Sequence, residues 1–161
     1  MSLARLRART PSARRLGCYT LVEHSLRFHK VGRDGSGKCD ALYTGDAGDL
    51  VHGVLYDIER SDKWRLDEAE GLGHGYDEQE VTVRGVGGEL HIALTYRALR
   101  IDAALRPYSW YRHHVLVGAR EGGLPSAYVQ QLEAIVCIED VDRERDRRER
   151  DIHCITARAG K

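Results

Sequence analysis

The sequence lacks an excess of charge of either sign: Lys and Arg number 25, and so do Asp and Glu. No net field draws the chain to nucleic acid or to an anionic membrane surface. Long apolar runs are missing as well. The longest, such as AIVCI at residues 134–138, are far too short to span a bilayer. The four cysteines, Cys18, Cys39, Cys137 and Cys154, include no CxxC pair, and no Cys/His group has zinc spacing. HExxH and GxSxG are absent too, so metalloprotease and serine-hydrolase readings have no motif to rest on. Cysteines without a pairing framework, and no secretory leader ahead of them, fit a reducing, cytoplasmic setting. No internal repeat is visible.

What is present fits one domain of 161 residues, 42% hydrophobic and 31% charged, with enough apolar material for a core. Charge is uneven along it. Arg5, Arg7, Arg9, Arg14 and Arg15 precede the first acid, Glu23. Leu3 and Leu6 are spaced as on one helix face and Pro11 stops the pattern, so this start reads as a short surface helix rather than a targeting peptide. In residues 139–151, twelve of thirteen residues are charged, with Glu144–Arg148 and Asp146–Arg150 at i, i+4. That predicts a solvated helix or tail over residues 139–161, after a domain spanning residues 1–138. Acids outnumber arginines seven to five there, which argues against a nucleic-acid arm.

Between these ends the pattern is mostly strand. Residues 18–31 read as a strand, or two with a turn, and residues 41–44 as a short one. LVHGVLYDI, residues 50–58, is a strong strand, with Leu50, Val54, Tyr56 and Ile58 on one face and His52 between them. Residues 61–70 predict a short helix, capped by Ser61 or Asp62 and ended by Gly71. Residues 76–84 and 89–97 flank the turn GVGG and predict a hairpin, with Leu90, Ile92, Leu94 and Tyr96 alternating along its second strand. Two helices come next. One starts after Pro107 and ends at Gly122–Gly123; the other starts at Pro125 with Val129, Leu132 and Val136 on one face. The order predicts an α+β domain around an antiparallel sheet or small barrel.

GRDGSGKC, residues 32–39, matches the GxxxxGK of a phosphate-binding loop. Such a loop needs a helix directly after it, and a Ser or Thr after the Lys to bind magnesium. Here Cys39 holds that position, and CDALYTGDAGD has no helical period. The expectation is a glycine-rich loop between antiparallel strands, with a nucleotide hydrolase as a distant alternative. The eight histidines include the pair His113–His114, whose side chains diverge on a helix. Most are expected at the surface or half-buried.

RLDEAEGLGHGY, residues 65–76, is the better place for chemistry. Glu70 falls at the end of a helix, where carbonyl dipoles disfavour a carboxylate. Asp67 lies one turn back and adds repulsion. Both effects would make Glu70 more basic, as a general base requires.

VHGVLYDI, then RLDEAEG with Tyr76, then ALTYRA, then YSWYRHHVLVGAREGGLPSAYVQQL resemble the γ-glutamylcyclotransferases, also described as AIG2-like. The resemblance runs to about Ile138. It implies a small mixed-strand β-barrel with flanking helices. It also implies cyclisation of a γ-glutamyl amine or peptide to 5-oxoproline, an acyl-transfer or amine-lyase reaction of the kind found in glutathione metabolism. The essential acid/base of the family matches Glu70. Positions matching Tyr76 and Tyr111, with Gly71 of the motif, would line the substrate cavity. The substrate's own amine attacks its own carbonyl, so positioning dominates, and no metal, cofactor or protein nucleophile is required. The partner expected is a small γ-glutamyl molecule, with neither nucleic acid nor membrane. A rival of another class is a catalytically silent member that binds a small ligand or a protein.

Members of the family begin with a strand and a loop reading YGSN. This chain begins MSLARLRARTPSA, which resembles the segment just after that loop. The resemblance implies a start assigned too late, in preference to a shortened chain or a member that truly lacks the loop and is inactive. A chain without that strand is expected to have little activity and to expose an unpaired strand edge, favouring a homodimer.

Overall fold

The computed structural model describes residues 1–158, with side chains through His153. Cys154 thus lies outside the described side chains; Cys18, Cys39 and Cys137 are free thiols. The chain opens with α1 (Leu3–Arg7), whose first turn is capped by the Ser2 hydroxyl accepting from the Arg5 amide.

Six strands among the described residues form two antiparallel sheets. β1 (Arg14–Val22) pairs with β4 (Leu50–Asp57) along its length and with β5 (Tyr76–Gly85) near Tyr19 and Thr20. β5 pairs with β6 (Leu90–Ala98) as the expected hairpin, giving the order β4-β1-β5-β6. β2 (His24–Val31) and β3 (Gly37–Tyr43) form the second sheet. A single residue, Glu23 at φ 61°, reverses the chain between β1 and β2. β2 packs beside β4, and β3 beside β6, so the strands curl into a small open barrel flanked by helices. One seam is bridged by Asp40 of β3, which accepts from the Ala98 amide of β6 at 2.8 Å.

Leu21, Val81 and Val83 form the barrel core, with Tyr19, Ala41, Val51, Leu55 and Ala93 packed on them. In β6 the small residue is the inward one. Ala93 pairs with Val81, so Leu90, Ile92 and Leu94 face outward, and Ile92 is 73% exposed.

Before the hairpin, a 3₁₀ turn (Arg60–Asp62) leads into α2 (Lys63–Glu70). Asp62 holds the cap position, but its carboxylate accepts from the Ser12 amide instead of capping the helix. After the hairpin come α3 (Ser109–Gly122) and α4 (Ser126–Glu133). Leu116, Ala119 and Leu132 of these helices cluster with Leu26, Val115 and Val129. They cover the β4 face that the sequence marked: His52 meets the Tyr128 ring at 4.9 Å. Val136 lies past the end of α4 and is exposed.

α5 (Arg143–Arg158) lies against α3 through charged contacts. Fully buried Asp140 accepts from Trp110 Nε1 at 2.7 Å and from Arg145 Nε and Nη2, each at 2.6 Å. Arg145 holds the Asp140 carboxyl well below the usual carboxylate range. Among the described residues, no helix is long and apolar enough to cross a membrane.

Candidate active site

α2 ends because Gly71 turns left-handed, at φ 70°, and its amide bonds back into the helix. This leaves Glu70 as the last helical residue, beside a cavity of about 710 Å³. The Glu70 side chain is 18% exposed, and its Oε1 accepts from Arg9 Nη1 at 2.8 Å. Arg9 is delivered by the turn after α1. Buried Thr10 fixes that turn by returning both its amide and its hydroxyl to the Leu6 carbonyl.

The neighbours of Glu70 differ from those expected. Asp67 points away, to Lys63 and to the Tyr96 hydroxyl, which donates to it at 2.6 Å. Burial raises the Asp67 carboxyl, but Lys63 and Tyr96 outweigh it and hold it lowered. Asp67 therefore does not crowd Glu70; the group paired with it is a guanidinium.

Tyr76 and Tyr111 both line the cavity and meet on one residue, Cys39 of β3. Tyr76 donates its hydroxyl to the Cys39 carbonyl at 2.8 Å. The Cys39 amide donates to the Tyr111 hydroxyl at 3.1 Å. Cys39 sits where the β2–β3 register shifts, so that Phe28 and His29 oppose it alone. The two phenols complete the backbone bonding of this bulge. Burial pushes both phenols far up, with the charge of Glu70 adding at Tyr76, so both stay protonated. Burial also pushes the Cys39 thiol up to about 11, which leaves it a poor nucleophile. Gly71 lines the same cavity, so the four residues singled out in sequence are brought to one place.

The glycine-rich segment is a turn over residues 32–36 that runs into β3, not into a helix. Lys38 is a strand residue. It donates to Asp34 at 2.7 Å and to the Ser36 hydroxyl at 2.6 Å, and lies 4.8 Å from the Trp110 ring centre. The helix N-terminus of a phosphate-binding loop is not there.

Most histidines are exposed or half-buried, as expected; His24 and His114 are the two that are buried among the described residues. His114 Nε2 is 3.0 Å from Glu149, and its Nδ1 is 2.6 Å from His153 Nε2. Burial pushes His114 down to about 4.

Arg9 and Lys30 are among the cavity residues not singled out in the sequence. Arg9 was one arginine among five in a basic start. Its partner lies 61 residues on, which no local pattern shows. Lys30 carried no signal beyond being a lysine within a strand.

A family model described as the AIG2-like family matches residues 50–132. The protein named gamma-glutamylcyclotransferase from Homo sapiens is 35% identical over 89 residues, 55% of this chain and 47% of that protein. The chain spans about half the length of the curated relatives it matches. A solved structure named gamma-glutamyl cyclotransferase is similar with a TM-score of 0.82 and 25% identity, covering 98% of this chain and 92% of the other. The crystal structure of a Homo sapiens protein described as uncharacterized is similar with a TM-score of 0.79 and 27% identity, covering 94% and 89%.

Proposed function

The chain belongs to the AIG2-like family, and on that premise we propose that it is a cyclotransferase converting a γ-glutamyl amine or peptide to 5-oxoproline and a free amine. One observation carries the reading. Glu70 stands in the cavity wall with Oε1 held by Arg9, while among the described residues no donor engages Oε2. A carboxylate that is held in a fixed direction, with one oxygen facing the cavity, can receive a proton.

Glu70 takes a proton from the substrate's α-ammonium. The freed amine attacks the γ-carbonyl carbon, and a five-membered ring closes. The bond from that carbon to the departing nitrogen breaks as Glu70 returns a proton to it. The ring nitrogen loses its remaining extra proton to water, which protonates the departing amine a second time. Both reacting groups belong to one molecule, so the cavity acts mainly by folding the substrate. Tyr76 and Tyr111 contribute ring faces to that shape, since their hydroxyls are engaged on Cys39.

The rival is a silent member that binds a ligand without turning it over. The hold of Arg9 on Glu70 favours it, because a neutralised carboxylate is also a stable structural pair. Incubation with a panel of γ-glutamyl amino acids and amines, with 5-oxoproline and free amine measured by mass spectrometry, separates the two. Both products in equal amount support the cyclotransferase. Bound but intact ligand across the panel supports the silent member.

A further inference from the structure

Lys30 stands on β2 in the wall of the same cavity and is only 8% exposed. Its Nζ lies 4.7 Å from the centre of the Tyr76 ring. A β carbon placed on Gly75 would be 3.2 Å from that Nζ and 3.0 Å from the Glu70 carbonyl oxygen. The ammonium is thus lodged against the loop just after Glu70, where a side chain on Gly75 would crowd it.

Among the described residues, Lys30 has no carboxylate within ion-pairing distance. Other cations of the wall do: Arg9 pairs with Glu70, Lys38 with Asp34, and Arg5 with Glu149. Arg33 and Arg100, exposed residues of the cavity lining, act on Lys30 through their charge and form no ion pair among the described residues. A buried cation without a counter-ion is costly. Lys30 is one, and with the two exposed arginines beside it this side of the cavity forms a site for an anion. Burial lowers the affinity of Lys30 for its proton, and an incoming carboxylate would restore it.

We infer that Lys30, with Arg33 and Arg100 towards solvent, receives a carboxylate on the departing half of the substrate, and so selects γ-glutamyl amino acids over γ-glutamyl amines. This rests on the cyclotransferase reading. In that reaction the glutamyl half curls into a ring at Glu70 and stays inside, next to Arg9. The departing half extends outward, and the exposed arginines lie on that path. Lys30 is a specificity residue here, with no part in the proton transfers.

The test compares γ-glutamylalanine with γ-glutamylethylamide, which differ only in the carboxylate of the departing half. The wild-type protein is expected to prefer γ-glutamylalanine about tenfold or more in kcat/KM, the scale of one charge-assisted hydrogen bond. Lys30→Met is expected to bring that ratio close to one, and Lys30→Arg to keep most of it. Lys30→Met also removes an unpaired buried cation, so its melting temperature is expected to hold or rise. Should that variant fail to fold, Gly75→Ala, which crowds Nζ without removing charge, is expected to lower the same ratio. A wild-type ratio near one, or an equal loss on both compounds in Lys30→Met, overturns the inference. If neither compound yields 5-oxoproline, the cyclotransferase reading falls, and calorimetric binding of the same two compounds decides the role of Lys30. Tighter binding of γ-glutamylalanine that Lys30→Met abolishes supports the anion site; equal binding, or none, overturns it.

Discussion

Arg9 and Glu70, 61 residues apart in sequence, meet with Nη1 2.8 Å from Oε1. Arg9 fixes the direction of the carboxylate, and among the described residues Oε2 has no donor. Arg9→Met should therefore lower kcat about tenfold through lost orientation, with a smaller change in KM. Steady-state kinetics at saturating substrate check this. Unchanged kcat would show that the pair only joins α1 to α2.

Tyr76 and Tyr111 hold the backbone of Cys39 from two sides. Tyr76→Phe leaves a buried carbonyl without its donor, and Tyr111→Phe leaves an amide without its acceptor. Each should cost about 1–3 kcal/mol of stability. Chemical denaturation measures it. A variant with full stability and a raised KM would instead place that hydroxyl on the substrate.

His114 gives stability a pH dependence. Glu149 and His153 of α5, Arg5 of α1 and the Trp110 ring of α3 face it. Its folded pKa is depressed to about 4, from the ordinary 6.5. Between those values the unfolded chain binds the proton and the folded chain does not. The contribution is thus full above pH 6.5 and is lost as pH falls towards 4, on the order of 3 kcal/mol in all. Asp67, Asp140 and Glu149, held below their usual range, add their losses at lower pH. Thermal melts across pH 4–7 should show a steep fall for wild type and a flatter one for His114→Gln. Equal slopes would remove His114 from this role.

Much of this architecture is legible in the sequence. The hairpin announces itself by period-two alternation around GVGG, and Gly71 marks the end of α2 by being the residue that tolerates a left-handed turn. The inward face of β6 was not legible. Apolarity marks Leu90, Ile92 and Leu94, yet the space opposite Val81 takes the small Ala93. The turn over residues 32–36 resembled a phosphate loop because both kinds of loop share glycines and a lysine. The element after the loop separates them, and here it is the strand β3. At the site, Glu70 stood out through its local setting. Arg9 and Lys30 did not, because their roles arise only when α1 and β2 close on the end of α2.

The most direct test of the account is turnover by Glu70→Gln. Glutamine keeps the shape and an oxygen for Arg9, but cannot carry the proton. We predict a loss of about 10²–10⁴-fold in 5-oxoproline formation, the usual worth of a general base, with the melting temperature nearly unchanged. A Glu70→Gln protein that cyclises γ-glutamyl substrates at the wild-type rate would contradict it.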